Sequence, residues 1–234
     1  MEVYWFGRGH DLLMVVAGIH GGYEWNTIAL AEELIAHLQA HPETIPADKT
    51  LFILRSLNPD GEARRGPDGR GNAHGVDLNR NFPANWQQDY RRSGCWQERP
   101  LTAGLDPASE PETQALMSFI SAMSFIAAHP GIQALINYHS AGLGVFPGGN
   151  PPDPASIRLA ESLASVSDYS YPPLDTGCIY TGQLVDWVSA QGIAAVDVEL
   201  TNHRDTDFEI NLKVLEAFLS FQPQHLSPST PSSR

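Results

Sequence analysis

The sequence predicts a single α/β domain of three layers, with helices on both faces of a mixed, largely parallel sheet. Three observations predict it. Residues 12–19 form a near-continuous apolar run ending in a glycine turn, the pattern of a strand buried on both faces. Strand-like and helix-like segments then alternate along the chain. A chain of 234 residues, 42% hydrophobic and 18% charged, suffices for one large core and is short for two.

The elements follow in order. Residues 2–6 read as a first strand, ahead of the buried strand 12–19. Residues 26–41 read as a helix, because Ile28, Ala31, Leu34, Ile35 and Leu38 recur at helical spacing and Asn26 or Thr27 stands where a cap belongs. Residues 51–55 are a strand. Residues 58–111 are irregular and rich in Gly, Pro, Arg and Asn, and a loop of that length inside one domain is usually functional. Helical periodicity resumes over 109–128, opened by Ser-Glu-Pro-Glu. A short strand at 134–138, helices at 155–164 and 183–190, a strand at 193–200 and a last helix at 208–221 complete the domain, 1–221. Residues 222–234 are rich in Ser and Pro and are expected to be a disordered tail.

Composition narrows the function. A formal net charge of -13 argues against nucleic-acid binding through clustered Lys and Arg. No apolar run reaches the roughly 18 residues of a membrane helix. Residues 1–10 lack the basic start and apolar stretch of a signal peptide, so the expectation is a cytoplasmic protein, although the strand at 2–6 leaves room for an upstream start. The two cysteines, Cys95 and Cys178, are too few for a disulfide framework, and two free thiols are expected. Any metal site must therefore draw on His and carboxylate ligands, which favours a catalytic site over a closed structural one.

In an open α/β sheet, ligands sit beyond the carboxyl ends of the strands. His20 and Glu24 follow the first buried strand, His139 follows the strand 134–138, and Glu199 stands near the end of 193–200. Two imidazoles and one carboxylate leave zinc an open fourth position for water, whose pKa the metal lowers towards about 7. Read this way, His20, Glu24 and His139 hold zinc and Glu199 is the general base. The other seven of the nine histidines have no comparable context and read as surface or hydrogen-bonded residues. The long loop adds Arg80 between Asn79 and Asn81, a pattern able to hold a carboxylate in a charge-assisted fork. Arg70 could stabilise a developing oxyanion. Arg64 and Arg65 read as solvated or as loop pins.

These segments together resemble the zinc carboxypeptidase family. The residues that carry the resemblance are Gly-Ile-His-Gly-Gly-Tyr-Glu-Trp at 18–25, Asn-Pro-Asp-Gly at 58–61 and the run 69–83 with its Asp77-Leu78-Asn79-Arg80. Tyr-His-Ser at 138–140 and Glu199-Leu200 follow in the same order. The resemblance implies zinc on His20, Glu24 and His139, and carbonyl polarisation by Arg70. It implies a clamp on a terminal carboxylate by Asn79 and Arg80, a mobile pocket tyrosine at Tyr180, and Glu199 as base and later acid. It also implies that Asp77 orients a zinc-bound imidazole. The family spacing is His-x-x-Glu, whereas here three residues separate His20 from Glu24 in a glycine-rich turn.

The run 181–187 is similar to the murein peptide amidases of the family, which cleave γ-D-glutamyl-diaminopimelate bonds. The implied activity is removal of a C-terminal residue from a peptide with a free carboxylate. A zinc deacylase of N-acyl amino acids and a non-catalytic binding module stand as alternatives. Near Leu184 and Val185, where the family tunes side-chain preference, the chain shows no charge, so no charged side chain is evidently selected.

Overall fold

A computed structural model of the chain describes residues 1–89, 101–125, 131–175 and 177–222. The expected tail, from residue 223 onward, and Cys95 lie outside the described residues. Six strands form one sheet: β1 (Val3–Gly7), β2 (Asp11–Val16), β3 (Lys49–Leu54), β4 (Ile132–Ser140), β5 (Gly144–Pro147) and β6 (Ala194–Leu200). Their spatial order is β1-β3-β2-β4-β6-β5. The four inner strands run parallel, and β1 and β5 pair antiparallel at the two edges. The expected mixed, largely parallel sheet is therefore observed. Strand β5 is an addition, because four residues between glycine- and proline-rich turns carry little periodicity.

Alternation of side chains builds the two outer layers. In β2, Leu13 and Val15 join α1 (Trp25–Ala40), α4 (Pro154–Ala164) and α6 (Phe208–Ser220) on one face. Leu12, Met14 and Val16 join α3 (Pro111–Phe125) and α5 (Leu184–Ala190) on the other. Because both faces are covered, the strand reads as a continuous apolar run rather than an alternating one. Helix α1 buries Leu30, Ala31, Leu34, Ile35 and Leu38 as one stripe. Full burial of one such leucine contributes about 1.5–3 kcal/mol.

Neither Asn26 nor Thr27 caps α1 as expected. The N-cap position is Glu24, with no side-chain cap bond. Thr27 instead donates to the Glu24 carbonyl and accepts from the Gly18 amide, and Asn26 donates to the carbonyls of Asn202 and Asp205. Both side chains tie the start of α1 to neighbouring loops. The long segment after β3 has the one-turn helix α2 (Pro59–Glu62), capped by Asn58, and single turns at Gly66–Gly69 and Leu78–Arg80. Helix α3 is described from Pro111 to Phe125, and the rest of its expected span lies outside the described residues.

Candidate metal centre and the cavity around it

The carboxyl ends of β2, β4 and β6 lie side by side, so the sheet itself gathers the first residues of the site. The chain leaves β2 and reaches His20 four residues later, while His139 and Glu199 are partners in the β4–β6 register. Asn137 and His139 on β4 share the face of Leu135, and Asp197 and Glu199 on β6 share the face of Ala195, the α3/α5 side of the sheet. All four polar side chains therefore point to one side at one end.

His20, Glu24 and His139 are each buried, and they offer ligand atoms that all lie within 4.8 Å of one another. His20 Nδ1 is 2.7 Å from Glu24 Oε1, His139 Nδ1 is 3.1 Å from Glu24 Oε2, and the two Nδ1 atoms are 3.2 Å apart. Ligands about 2.05 Å from a tetrahedral zinc would be about 3.3 Å apart, so the three donors have the spacing such an ion needs. Two imidazole nitrogens turned towards each other beside a carboxylate also form a donor set that calls for a cation. The extra residue between His20 and Glu24 is absorbed in a single turn, Gly21–Glu24. Gly21 has φ +46, and a Cβ there would come within 2.6 Å of the Gly61 backbone, so the turn requires glycine.

Each imidazole is held from behind by a carboxylate. His20 Nε2 faces Asp77 Oδ1 at 3.2 Å, and His139 Nε2 faces Asp197 Oδ1 at 3.3 Å. Such partners fix the tautomer that leaves Nδ1 free for a metal. Asp77 stands where the sequence placed it. Asp197 was missed, yet a signal existed: it lies two residues before Glu199 on a strand and so shares its face. Asn137 reinforces it, donating to Asp197 Oδ1 at 2.7 Å and lying 2.7 Å from His139 Nε2.

Electrostatics follow from this packing. Burial alone would raise the Glu24 carboxyl, but His20 and His139 override it and hold it well below the usual range. Burial likewise opposes ionisation of Asp77, and Arg70 and His20 hold it well below the usual range. Glu199 behaves oppositely. Burial pushes its carboxyl up to about 7, with Glu24 and Asp197 adding to the rise, against His139 and the Gly142 amide. That amide donates to Glu199 Oε2 at 2.9 Å. Glu199 is thus a carboxyl poised near neutrality beside a pair of imidazoles.

The loop supplies the cations. Arg70 donates from Nε to Asp77 Oδ2 at 3.0 Å and from a terminal nitrogen to Glu24 Oε1 at 3.3 Å, so one guanidinium braces both carboxylates that border His20. Asn79 lies 3.2 Å from His139 Nε2 through its amide nitrogen, accepts the Leu184 amide at 2.9 Å and donates its backbone N–H to Asp77. Arg80 donates to the Asn79 carbonyl at 2.6 Å and lies 5.1 Å from the centre of the Tyr180 ring. Gly182, with φ +65, passes so close to the Arg80 carbonyl that a Cβ would come within 2.1 Å of it. The loop is pinned by Arg64, which donates to the Gly71 and Asn72 carbonyls, and by Asn72 and Asn81.

All eight predicted residues line one cavity of about 800 Å³: His20, Glu24, Arg70, Asn79, Arg80, His139, Tyr180 and Glu199. Its lining also includes Tyr23, Asp186, Asp197 and His203, which sequence reasoning did not single out. His203, set aside as hydrogen-bonded, does pair with Ser140 Oγ at 3.1 Å. Cys178 is a further lining residue, and it is disulfide-bonded, which overturns the expectation of free thiols at this position.

Comparison with known proteins agrees with this arrangement. The family model for zinc carboxypeptidases, peptidase M14, matches residues 7–218. Murein peptide amidase A of Escherichia coli strain K12 is 38% identical over 113 residues, which make up 46% of this chain and 43% of that protein, so the match spans less than half of the relative's length. Among solved structures, murein-tripeptide amidase from Escherichia coli O157 superposes with a TM-score of 0.63 at 24% identity, covering 94% of this chain and 87% of that one. Bovine thrombin-activatable fibrinolysis inhibitor superposes with a TM-score of 0.75 at 18% identity, covering 93% and 84%. The fold is thus shared with these structures. The family match runs through the strands and the loop that assemble the His20–Glu24–His139 cluster, and the chain belongs to the zinc carboxypeptidase family.

Proposed function

We propose that this chain is a zinc metallocarboxypeptidase that hydrolyses the C-terminal amide bond of a peptide. The observation that carries the reading is the convergence, in one cavity, of a metal-competent triad with a half-buried carboxyl raised towards neutrality and two arginines. Zinc held by His20, Glu24 and His139 would polarise the scissile carbonyl and acidify water.

The chain's own residues divide the remaining work. Arg80 and Asn79 hold the terminal carboxylate of the peptide, Arg80 through its guanidinium and Asn79 through its amide. Tyr180, lying against Arg80, covers the bound residue. Arg70 faces the oxyanion as it develops. Glu199 takes a proton from the attacking water and delivers it to the leaving amine, a role suited to a carboxyl whose pKa lies near the working pH. Asp77 and Asp197 keep the two imidazoles in register.

The substrate we favour is the γ-D-glutamyl-diaminopimelate bond of cell-wall peptides. The similarity to a murein peptide amidase supports it. The test is release of the C-terminal residue from γ-D-glutamyl-diaminopimelate peptides and ordinary dipeptides, with and without a chelator. Chelator-sensitive release is expected. No release from any peptide by zinc-loaded protein would remove the carboxypeptidase reading.

A further inference from the structure

His203 has no part in the mechanism above, yet it lines the cavity. It stands exposed on the loop that follows β6, and that loop is tied on several sides. Thr201 donates its N–H and its hydroxyl to Asp207, and Asn202 Oδ1 accepts the amides of Arg204 and Asp205. From α1, Asn26 Nδ2 donates to the Asn202 and Asp205 carbonyls at 2.7 and 2.9 Å. The imidazole leans on the Tyr23 ring, with centroids 5.2 Å apart, and its Nδ1 is 3.1 Å from Ser140 Oγ.

These contacts decide which nitrogen of His203 carries hydrogen. Asn26 commits its amide nitrogen to two carbonyls, so its Oδ1 is the acceptor end of the side chain. Ser140 Oγ lies 2.9 Å from that Oδ1, and two oxygens at such a distance need a hydrogen between them. Ser140 has one hydroxyl hydrogen, so it donates to Asn26 and turns its lone pairs to His203. Nδ1 of His203 is therefore the donor, and in the neutral ring Nε2 is a bare acceptor. Among the described residues, Nε2 has no hydrogen-bond partner.

The position of the ring says what meets that acceptor. Side chains alternate along β4, so His139 faces the α3/α5 side of the sheet and Ser140 the α1 side. Asn79 meets His139 from the first side, and His203 meets Ser140 from the second. The clamp and the imidazole thus flank the metal position from opposite sides. With the terminal carboxylate on Arg80 and the scissile carbonyl at the metal position, the acyl part of the peptide is directed to the wall of Tyr23 and His203.

We infer that His203 Nε2 accepts a hydrogen bond from an amide N–H in the acyl part of the substrate, the part that keeps the scissile carbonyl. The assignment rests on the carboxypeptidase reading and narrows it to chains with a further amide bond before the departing residue. An amino acid carrying a plain alkanoyl or aroyl group has no such donor, so His203 would separate a peptide from an N-acyl amino acid.

The test uses substrate pairs that end in the same residue and differ in one group, N–H or ester oxygen. They are acetyl-alanyl against O-acetyl-lactyl, and in the γ linkage acetyl-D-glutamyl against O-acetyl-2-hydroxyglutaryl. Each is assayed with the zinc-loaded full chain and with His203→Phe, which keeps an aromatic ring beside Tyr23 and removes the acceptor. Wild type is expected to favour the N–H member by about five- to tenfold in kcat/KM, and His203→Phe to bring the pair within about twofold. Equal rates for both members in wild type overturn the inference, and so does a His203→Phe variant that slows both members alike and keeps their ratio. Either result leaves the carboxypeptidase standing. Absence of release from every substrate overturns both.

Discussion

His139, Asp197 and Glu199 stand on strands β4 and β6, whereas Arg70, Asp77, Asn79 and Arg80 stand on the irregular segment between β3 and α3. The strand-borne residues are positioned by register. His139 and Glu199 are a ladder pair, and the period of two puts Asp197 on the same face. The loop-borne residues have no ladder. They are held by side-chain bonds to backbone, with Asn58 on Arg70 and Gly61, Asn72 on Val76 and His74, and Asn81 on Ala103 and Glu110. In the proposed function, proton transfer and one of the three metal-cluster residues thus rest on the sheet. The proposed substrate clamp rests on a loop that polar bonds must hold in shape.

The division predicts separable failures. The largest concerns the strand side. Glu199→Gln is expected to lower kcat by about 10²–10⁴-fold with little change in KM or metal content, since it removes only the proton acceptor. Stopped assays beside metal analysis check it, and a loss of metal together with rate would merge the two halves. On the loop side, Arg80→Ala is expected to raise KM by about 10–100-fold with a smaller effect on kcat, the cost of a charge-assisted bond to the terminal carboxylate. An equal fall in kcat would show that the clamp also acts in the transition state.

Acidity gives a smaller and graded effect. A base works only when ionised, so kcat/KM must fall as pH drops through the Glu199 pKa. Burial puts that pKa at about 7 among these side chains. A bound cation favours the carboxylate, so the acid limb belongs below about 7, with a slope of about tenfold per pH unit. A profile flat down to about pH 5 would exclude Glu199 as the base. The smallest effect tests the loop's pins. Asn72→Ala removes two accepted and two donated hydrogen bonds and is expected to cost about 1–3 kcal/mol, read as a fall of a few degrees in Tm, with metal affinity unchanged.

The same contrast decides what the sequence revealed. The buried strands and α1 were legible because apolar periodicity reports directly on burial, and His20, His139 and Glu199 were legible because they end those strands. Arg70, Asn79 and Arg80 lie in aperiodic chain, where their chemistry suggested an anion-holding role but no periodicity placed them, and the likeness to a family assigned each its part. Their union in the cavity depends on bonds such as Asn79 to Leu184, which join residues 105 positions apart. Asp197 shows a different gap. Its period-two relation to Glu199 was available, but its partner His139 comes from another strand, and the pairing of β4 with β6 is not written in either. The α1 cap failed for a further reason: Asn26 and Thr27 carried the right chemistry, but tertiary partners took it.

Asn79 belongs to both halves. Its amide meets His139, its oxygen receives the Leu184 amide, its backbone N–H goes to Asp77, and its carbonyl receives Arg80. Any ligand that shifts Arg80 therefore bears on the imidazole behind the metal position, and any ion that draws on His139 bears on the clamp. Thermodynamic linkage makes such an influence mutual: if a bound carboxylate tightens the hold on the ion by some factor, the ion tightens the hold on the carboxylate by that same factor. Metal titrations run with and without a short peptide acid would read that factor from either side.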